Sequence, residues 1–189
     1  MAKNNSHLGE TAEGRLKRLQ DGSPVESIET LLNSIDNFFN NEIRATVSDL
    51  RYPQTTLMFL GVHAAILTIS EVFFNDKGSR GYKLFLERYV DKDDSADNFS
   101  LIANDIHAWR NIVAHQWLSI KGHSLAYAYN LDAGWKREGS ILHINPKIYC
   151  EQYLAAFNAD GRIWRYSQQF TQDELEAIKQ RIIEKFVKE

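Results

Sequence analysis

The sequence predicts an all-α fold, a helical bundle with one β-hairpin inserted after its fourth helix. Two capping boxes begin amphipathic runs, at Ser23-Pro24-Val25-Glu26 and at Thr171-Gln172-Asp173-Glu174. Proline and glycine are scarce, with 3 and 10 residues among 189, which favours helices over turn-rich β-structure. Short segments typical of strands are confined to 125–144, between two helical stretches.

Composition places the chain among ordinary globular proteins. Hydrophobic residues make up 43% and charged residues 25%, which excludes wholesale disorder. The net charge of −3 and the pI near 6.1 exclude the global basic excess of a protein that coats nucleic acid, so any RNA contact has to be local. Cys150 is the single cysteine, which excludes an internal disulfide and a cysteine-based zinc site.

The first residues predict an arm and not a packed element. Residues 1–22 are polar and lack a sustained period, which indicates a flexible N-terminal arm with a short basic helix over Arg15–Gln20. They contain no apolar core of the kind that a secretory signal needs, so we expect a cytoplasmic protein. Residues 23–189 are then expected to form a single helical domain.

Helical periods and breaks divide the remainder of the chain. The first helix runs from Ser23 to about Thr46, and Pro53 marks the next break. Turn and capping signals bound the later helices, which are predicted over 54–74, 81–90 and 95–118, from Pro146 to about Asn158, and from Thr171 onward. A hairpin is predicted over 121–145, with strands at Leu125–Tyr129 and Ile141–Ile144. Gly134 and Gly139 lie in its loop.

The apolar segment 54–74 is long enough to cross a membrane. It carries His63, Ser70 and Glu71, which favour a helix buried in a bundle over a membrane span. We therefore expect no membrane association.

The helix over 95–118 has two distinct stripes when it is drawn at about 100° per residue. One stripe is apolar and is expected to face the core: Ile102, Ile106, Trp109, Val113 and Trp117. The opposite stripe is polar without lysine or glutamate: Ser100, Asn104, His107, Asn111 and His115. A solvated face usually carries lysine and glutamate, which are good helix formers, so this stripe predicts either a polar seam inside a contact or a functional site.

The segment Arg110-Asn111-Ile112-Val113-Ala114-His115 supplies the chemistry of such a site. Asn111 and His115 are four residues apart and so share a helical face, and the long side chain of Arg110 can reach the same groove. Arginine clamps phosphate oxygens in bidentate fashion, and histidine transfers protons near neutral pH. These residues therefore suit a phosphate substrate.

A helical bundle whose late helix carries Arg110, then polar Asn111, then His115 resembles the HEPN superfamily (higher eukaryotes and prokaryotes nucleotide-binding). The architecture of that family, an antiparallel helical bundle, covers 23–189, and the specific match is the six residues from Arg110 to His115. The resemblance departs at Trp117, where HEPN toxins that are paired with a nucleotidyltransferase antitoxin often carry a modifiable tyrosine. Regulation by modification at that position is therefore not expected.

The resemblance implies a metal-independent RNA endonuclease without cofactor, in which the ribose 2′-hydroxyl attacks the adjacent phosphate. His115 would act as general base or acid, Arg110 would stabilise the phosphorane charge, and Asn111 would orient His115 or the phosphate. The family arrangement apposes two such motifs across the two-fold axis of a homodimer. A toxin or anti-phage defence role, with an antitoxin or defence partner, is the setting implied. The alternative is a catalytically silent HEPN-like module that binds nucleotide or protein.

Four further residues are candidates for lining the groove: Asn104, His107, Glu71 and His63. His63 on the apolar helix is either a satisfied core residue or a supporting group. Glu71 either pairs with Arg110 or lies partly exposed at its helix end. His123 and His143 are expected at the surface. The sequence lacks the spacings of a metal site and a glycine-rich phosphate loop.

Overall fold

The structure is a computed structural model that describes residues 11–48, 55–92, 95–116 and 124–188, with the backbone alone at 45, 48, 113–116 and 124. Within these residues it is mainly helical, as the sequence predicts. The α-helices are α1 (Ala12–Asp21), α2 (Pro24–Phe38), α3 (Arg44–Ser48), α4 (Thr55–Phe74), α5 (Ser79–Phe85), α6 (Ala103–Gln116), α7 (Pro146–Ala156) and α8 (Gln172–Phe186). Single π-helical turns cover Phe39–Ile43 and Leu86–Val90, and 3₁₀ segments cover Phe99–Ile102 and Arg162–Gln168.

Both predicted capping boxes are present. The Ser23 hydroxyl accepts from the backbone N–H of Glu26, whose carboxylate accepts from the N–H of Ser23 at 2.7 Å. Thr171 and Glu174 make the same reciprocal pair at the start of α8. Each box provides acceptors for N–H groups that have no partner within the first helical turn.

The N-terminal residues differ from the predicted flexible arm. Residues 12–21 form α1, which Thr11 caps by accepting from the N–H of Gly14, and which packs on α2 and α8. Leu19 is buried there, and the Ser27 hydroxyl donates to its carbonyl. The predicted short helix over Arg15–Gln20 lies within α1. The sequence did not predict that this helix packs on the bundle, because α1 buries little beyond this single leucine. Residues 1–10 lie outside the described part of the chain.

α4 is the helix that the sequence predicted to be apolar nearly all round. Among the described residues it is the one helix long and apolar enough to cross a membrane, and half of it is buried inside the protein. Its buried side, which includes Phe59, His63 and Ile66, faces the core. That burial is typical of a core helix in a soluble protein.

α6 begins later than the predicted start at Ser95. Residues 95–98 are not helical, and a 3₁₀ turn from Phe99 leads into α6. The Asp91 carboxylate accepts from the N–H of Phe99 at 3.1 Å and bonds Ser100, while the Asn98 side chain holds the backbone of Lys92. The 3₁₀ turn that leads into α6 therefore starts where Asp91 supplies this acceptor.

The β-structure corrects the predicted hairpin. There are three described strands, β1 (Ser124–Tyr127), β2 (Trp135–Glu138) and β3 (Ile141–Ile144), in the order β1-β3-β2. The two segments predicted to pair as a hairpin are instead parallel neighbours, and the true hairpin joins β2 to β3. Its turn is Gly139-Ser140, where Gly139 takes a φ of +59°, a conformation that glycine adopts freely.

The sheet is docked on the helices. Leu142 and Ile144 of β3 are buried in the same hydrophobic core as the helices, and Gly134 lies against Phe99. The Trp135 indole donates to the carbonyl of Asn98 at 3.2 Å. The three-stranded sheet therefore contributes to the hydrophobic core that positions α6.

Candidate functional site

The apolar face of α6 lies where the sequence predicts it. Ile102, Ile106 and Trp109 are buried, and the Trp109 ring packs edge-on against Phe59 of α4 at 5.2 Å between centroids. The Val113 side chain and Trp117 fall outside the described part of the chain. This packing fixes the rotation of α6 and so decides which of its side chains face outward.

The polar face of α6 is only partly open to solvent. Asn104 is exposed, His107 and Asn111 are partly exposed, and Ser100 is buried against Asp91. His115 follows on the same helix, and its side chain lies outside the described part of the structure. The predicted polar stripe is therefore accessible to solvent only in part, and its accessible part begins after Ser100.

Arg110 and Asn111 are joined directly. The Nη1 atom of Arg110 donates to the Oδ1 atom of Asn111 at 2.9 Å. A guanidinium group has five N–H donors, so this bond fixes its direction and engages one of them. The structure thus brings together two of the three residues predicted to form the catalytic motif.

The two predicted supporting histidines, His63 and His107, form a pair one helical turn before Asn111. His63 on α4 is fully buried, and its Nε2 atom lies 3.3 Å from Nδ1 of His107 on α6. His63 thus pairs with a residue of another helix. The Ser70 hydroxyl, on the same side of α4, takes no part in this pair because it donates to the carbonyl of Ile66.

Burial keeps both histidines neutral near pH 7. The pKa of His63 lies well below its usual 6.5 because burial penalises the charged ring, and because a positive charge on His107 or Arg110 disfavours a further one on His63. The pKa of His107 is also lowered by burial and by Arg110, whereas the Asp76 carboxylate acts in the opposite direction. A neutral imidazole offers one donor nitrogen and one acceptor nitrogen.

Two residues that sequence reasoning did not single out complete the cluster. Tyr82 of α5 lies over the His63 ring at 4.2 Å between centroids, and its hydroxyl bonds that of Tyr149 at 2.7 Å. Asp76, in the turn before α5, acts electrostatically on His107. Tyr82 belongs to an apolar stripe with Phe85, a pattern that predicts core, so no sequence signal distinguishes it.

Other candidates lie away from this cluster. Of the two alternatives for Glu71, the structure shows the partly exposed residue near its helix end. Its carboxylate bonds Nζ of Lys185 on α8, so the pairing with Arg110 is not observed and Glu71 does not line the groove. His143 lies on β3, 3.7 Å from the Glu138 carboxylate, and is partly exposed. His123 falls outside the described residues. Cys150 is fully buried as a small apolar filler, and burial raises the pKa of its thiol.

Comparison with known proteins adds no assignment, because no protein-family model, curated protein or solved structure matches this sequence. Across the described ranges, no group of three or more His, Cys, Asp or Glu side chains is placed to hold a metal ion. The chemistry of the site therefore has to be argued from its own side chains. A fixed guanidinium group beside a neutral, partly exposed imidazole can bind an anionic oxygen and donate hydrogen bonds to it.

Proposed function

We propose that this protein is a metal-independent RNA endonuclease of HEPN type, with an active site composed across a homodimer and without cofactor. The observation that carries the proposal is the Arg110–Asn111 hydrogen bond of 2.9 Å, located one helical turn from a neutral histidine pair. The resemblance of Arg110, Asn111 and His115 to the HEPN motif supports the same assignment. The localisation that we propose is cytoplasmic.

The reaction that fits these residues is an internal transesterification. The ribose 2′-oxygen attacks the adjacent phosphorus, the bond from phosphorus to the 5′-oxygen breaks, and a 2′,3′-cyclic phosphate and a 5′-hydroxyl result. His115 removes the 2′-hydroxyl proton, and the partner subunit's His115 protonates the leaving oxygen. Arg110 stabilises the charge that develops on the phosphorane oxygens, and Asn111 holds the guanidinium group in place.

The homodimer follows from the two proton transfers of that reaction, which need one base and one acid. One His115 in each chain supplies half of an acid and base pair, and a two-fold axis through the α6 faces supplies the other half. The exposed Asn104 and the partly exposed Asn111 lie on the face that would meet its copy. A toxin or anti-phage defence role, with an antitoxin or defence protein as partner, is the biological setting that we propose.

Cleavage of a defined single-stranded RNA in excess chelator tests the proposal. We expect the wild-type protein to leave 2′,3′-cyclic phosphate ends, with a loss of about 10²–10⁴-fold for His115→Ala and about 10²–10³-fold for Arg110→Ala. Arg110→Lys should also be poor, because an ammonium group cannot reproduce the planar fork. Arg165→Ala and His143→Ala remove the same groups elsewhere and should cleave like wild type.

The contrary outcomes are specific. Cleavage that requires added divalent metal, or a fully active His115→Ala variant, contradicts the mechanism. A dimer that binds RNA or a nucleotide without cutting any RNA favours the silent binding module. Growth inhibition on expression, compared between wild type and His115→Ala, tests the toxin setting separately.

A further inference from the structure

His63 and His107 meet nitrogen to nitrogen, which makes their protonation a shared property. The Nε2 atom of His63 lies 3.3 Å from Nδ1 of His107, and the two rings are tilted by 40° with centroids 5.3 Å apart. One nitrogen has to donate and the other has to accept, because two bare nitrogens or two N–H groups facing each other would repel. The pair therefore has two alternative tautomeric arrangements.

The surroundings of His63 select one arrangement. Its second ring nitrogen, Nδ1, is buried and has no hydrogen-bond partner among the described residues. A proton on Nδ1 would leave a buried N–H unsatisfied, and buried N–H groups without partners are rarer in proteins than under-used acceptors. The proton of neutral His63 therefore lies on Nε2 and is donated to Nδ1 of His107. His107, being neutral, then carries its own proton on Nε2.

Neighbouring elements hold the pair in this geometry. Tyr82 of α5 covers the His63 ring at 4.2 Å, and the hydroxyl of Tyr82 is itself fixed by Tyr149 of α7. The charged groups that act on His107 are Arg110 from α6 and Asp76 from the turn after α4. The His63 ring cannot swing away without losing its packing against Tyr82, so the contact between the two histidines is built into the fold.

We propose that His63 is a positioning residue that fixes His107 with its proton on Nε2, so that His107 is a dedicated hydrogen-bond donor to a non-bridging phosphate oxygen of RNA beside Arg110. This inference rests on the proposed function for its substrate. It assigns different tasks to the two histidines of α6: His107 binds the phosphate as a neutral donor, and His115 transfers protons. The tautomer itself is a property of the free protein.

The nitrogen chemical shifts of the histidine rings test the tautomer directly. In wild type we expect the Nε2–H form of His107. His63→Leu should convert His107 to a mixture of both tautomers, because the donor to Nδ1 is gone. His63→Gln carries an amide N–H near the position of Nε2 and should restore the Nε2–H form. His143→Gln removes a partly exposed histidine on β3 and should leave His107 unchanged.

Binding and cleavage test the role of the donor. A single-stranded DNA oligonucleotide, which has the phosphodiester but no 2′-hydroxyl, should shift the Nε2 signal of His107 in wild type and less so in His63→Leu. Residues that orient a metal-bound histidine are typically worth about 10–100-fold. We expect an effect of the same order here, so kcat/KM for RNA should fall by about that factor in His63→Leu and recover in His63→Gln. Circular dichroism and thermal melting check that each variant is folded, and if His63→Leu does not fold, His63→Gln and His107→Ala carry the comparison.

The two proposals fail in different ways. A wild-type His107 protonated on Nδ1, or a His107 tautomer unchanged in His63→Leu, overturns the assignment of His63 whatever the enzyme activity. Full RNA cleavage by His63→Leu and His107→Ala overturns the role of the donor while leaving the endonuclease intact. A wild-type protein that shows the expected tautomer and the oligonucleotide shift but cuts no RNA overturns the endonuclease and supports this phosphate site.

Discussion

Arg110 is directed by its neighbour on the same helix. The bond from its Nη1 atom to Asn111 engages one edge of the guanidinium group, and the side chain remains partly exposed. An arginine held in this way loses less side-chain entropy when it binds an anion, because part of the ordering is already complete in the free protein. Under the proposed function, Asn111 therefore supports anion binding through the orientation of Arg110.

The buried histidine predicts a pH dependence of stability. Folded His63 has a pKa well below the 6.5 of an unfolded histidine, so the unfolded state takes up the proton first as the pH falls. The free energy of unfolding should therefore decrease below pH 6.5, by at most about 1.4 kcal/mol per pH unit for this residue, and level off below the folded pKa. His107 and Arg110 are the ionisable groups that lower the pKa of His63 further, and Asp76 acts only on His107, whose pKa it raises.

Urea unfolding at about pH 7 and at about pH 5.5 measures this change in the free energy of unfolding. We expect wild type to lose more stability between the two conditions than His63→Gln, while the control variant His143→Gln keeps the wild-type difference. Equal losses in wild type and His63→Gln would show that His63 is not the responsible group.

At this scale the sequence predicts residue types and faces but not partners. The helical period correctly places Ile102, Ile106 and Trp109 in the core. It cannot show that His63 meets His107, because the two lie on different helices and their pairing depends on how α4 and α6 cross. The same limit explains Glu71, whose position near a helix end is readable while its partner Lys185 on α8 is not.

Among the elements, the sheet shows how a close backbone contact fixes a segment on the bundle. Gly134 precedes β2 and lies against the fully buried ring of Phe99, at the point where the 3₁₀ turn leads into α6. A Cβ atom at Gly134 would come within 2.8 Å of Cζ of that ring. The glycine is therefore needed for its lack of a side chain and not for an unusual backbone conformation.

Gly134→Ala should destabilise the protein by about 1–3 kcal/mol, because the packed ring of Phe99 cannot move aside without displacing its neighbours. Thermal or urea unfolding measures the change. Gly61→Ala is the matched control: on α4 its added methyl would meet only Cδ1 of Ile43, at 4.0 Å, and alanine favours the helix by up to about 1 kcal/mol. A Gly134→Ala variant as stable as wild type would show that the sheet can shift away from Phe99.

Element boundaries are readable from the sequence where a side chain caps the backbone nearby. Ser23 and Thr171 announce their helices because each capping box is complete within four residues. The start of the 3₁₀ turn that leads into α6 is not readable in this way, since Asp91, eight residues before Phe99, supplies the acceptor for its N–H. Strand pairing is hidden for a similar reason: alternation predicts a strand's two faces but not which strand lies beside it.

For the whole molecule, the proposed dimer has to form through one surface among several. The polar face of α6 presents exposed Asn104, with Leu101 also exposed at its start. A second surface competes with it, an apolar groove between α1, α2, α4 and α8 whose exposed rim includes Leu16, Phe38 and Phe186. Only an association through α6 would bring two copies of the Arg110 motif together.

Sedimentation at micromolar concentration distinguishes the two surfaces. Wild type should sediment as a dimer of the 21.8 kDa chain. Asn104→Lys should weaken the dimer, because a two-fold axis places the two new charges near each other. Leu16→Lys, which puts the same charge on the apolar groove, should leave the dimer intact. The reverse pattern would locate the dimer at the groove, and a monomeric wild type would remove the composite site.

The strand order β1-β3-β2 also has a consequence for how the chain reaches its native state. β2 and β3 are joined by the two-residue turn at Gly139. Leu125 of β1 pairs directly with Leu142 of β3, although the chain that connects these two strands contains the whole of β2. Closing a short loop costs less entropy than closing a long one, so the hairpin should form first and β1 should join a surface that already exists. Gly139→Ala should then slow refolding, whereas Leu125→Ala should mainly accelerate unfolding in stopped-flow measurements. We therefore expect the strand that comes first in the sequence to be the last to enter the sheet.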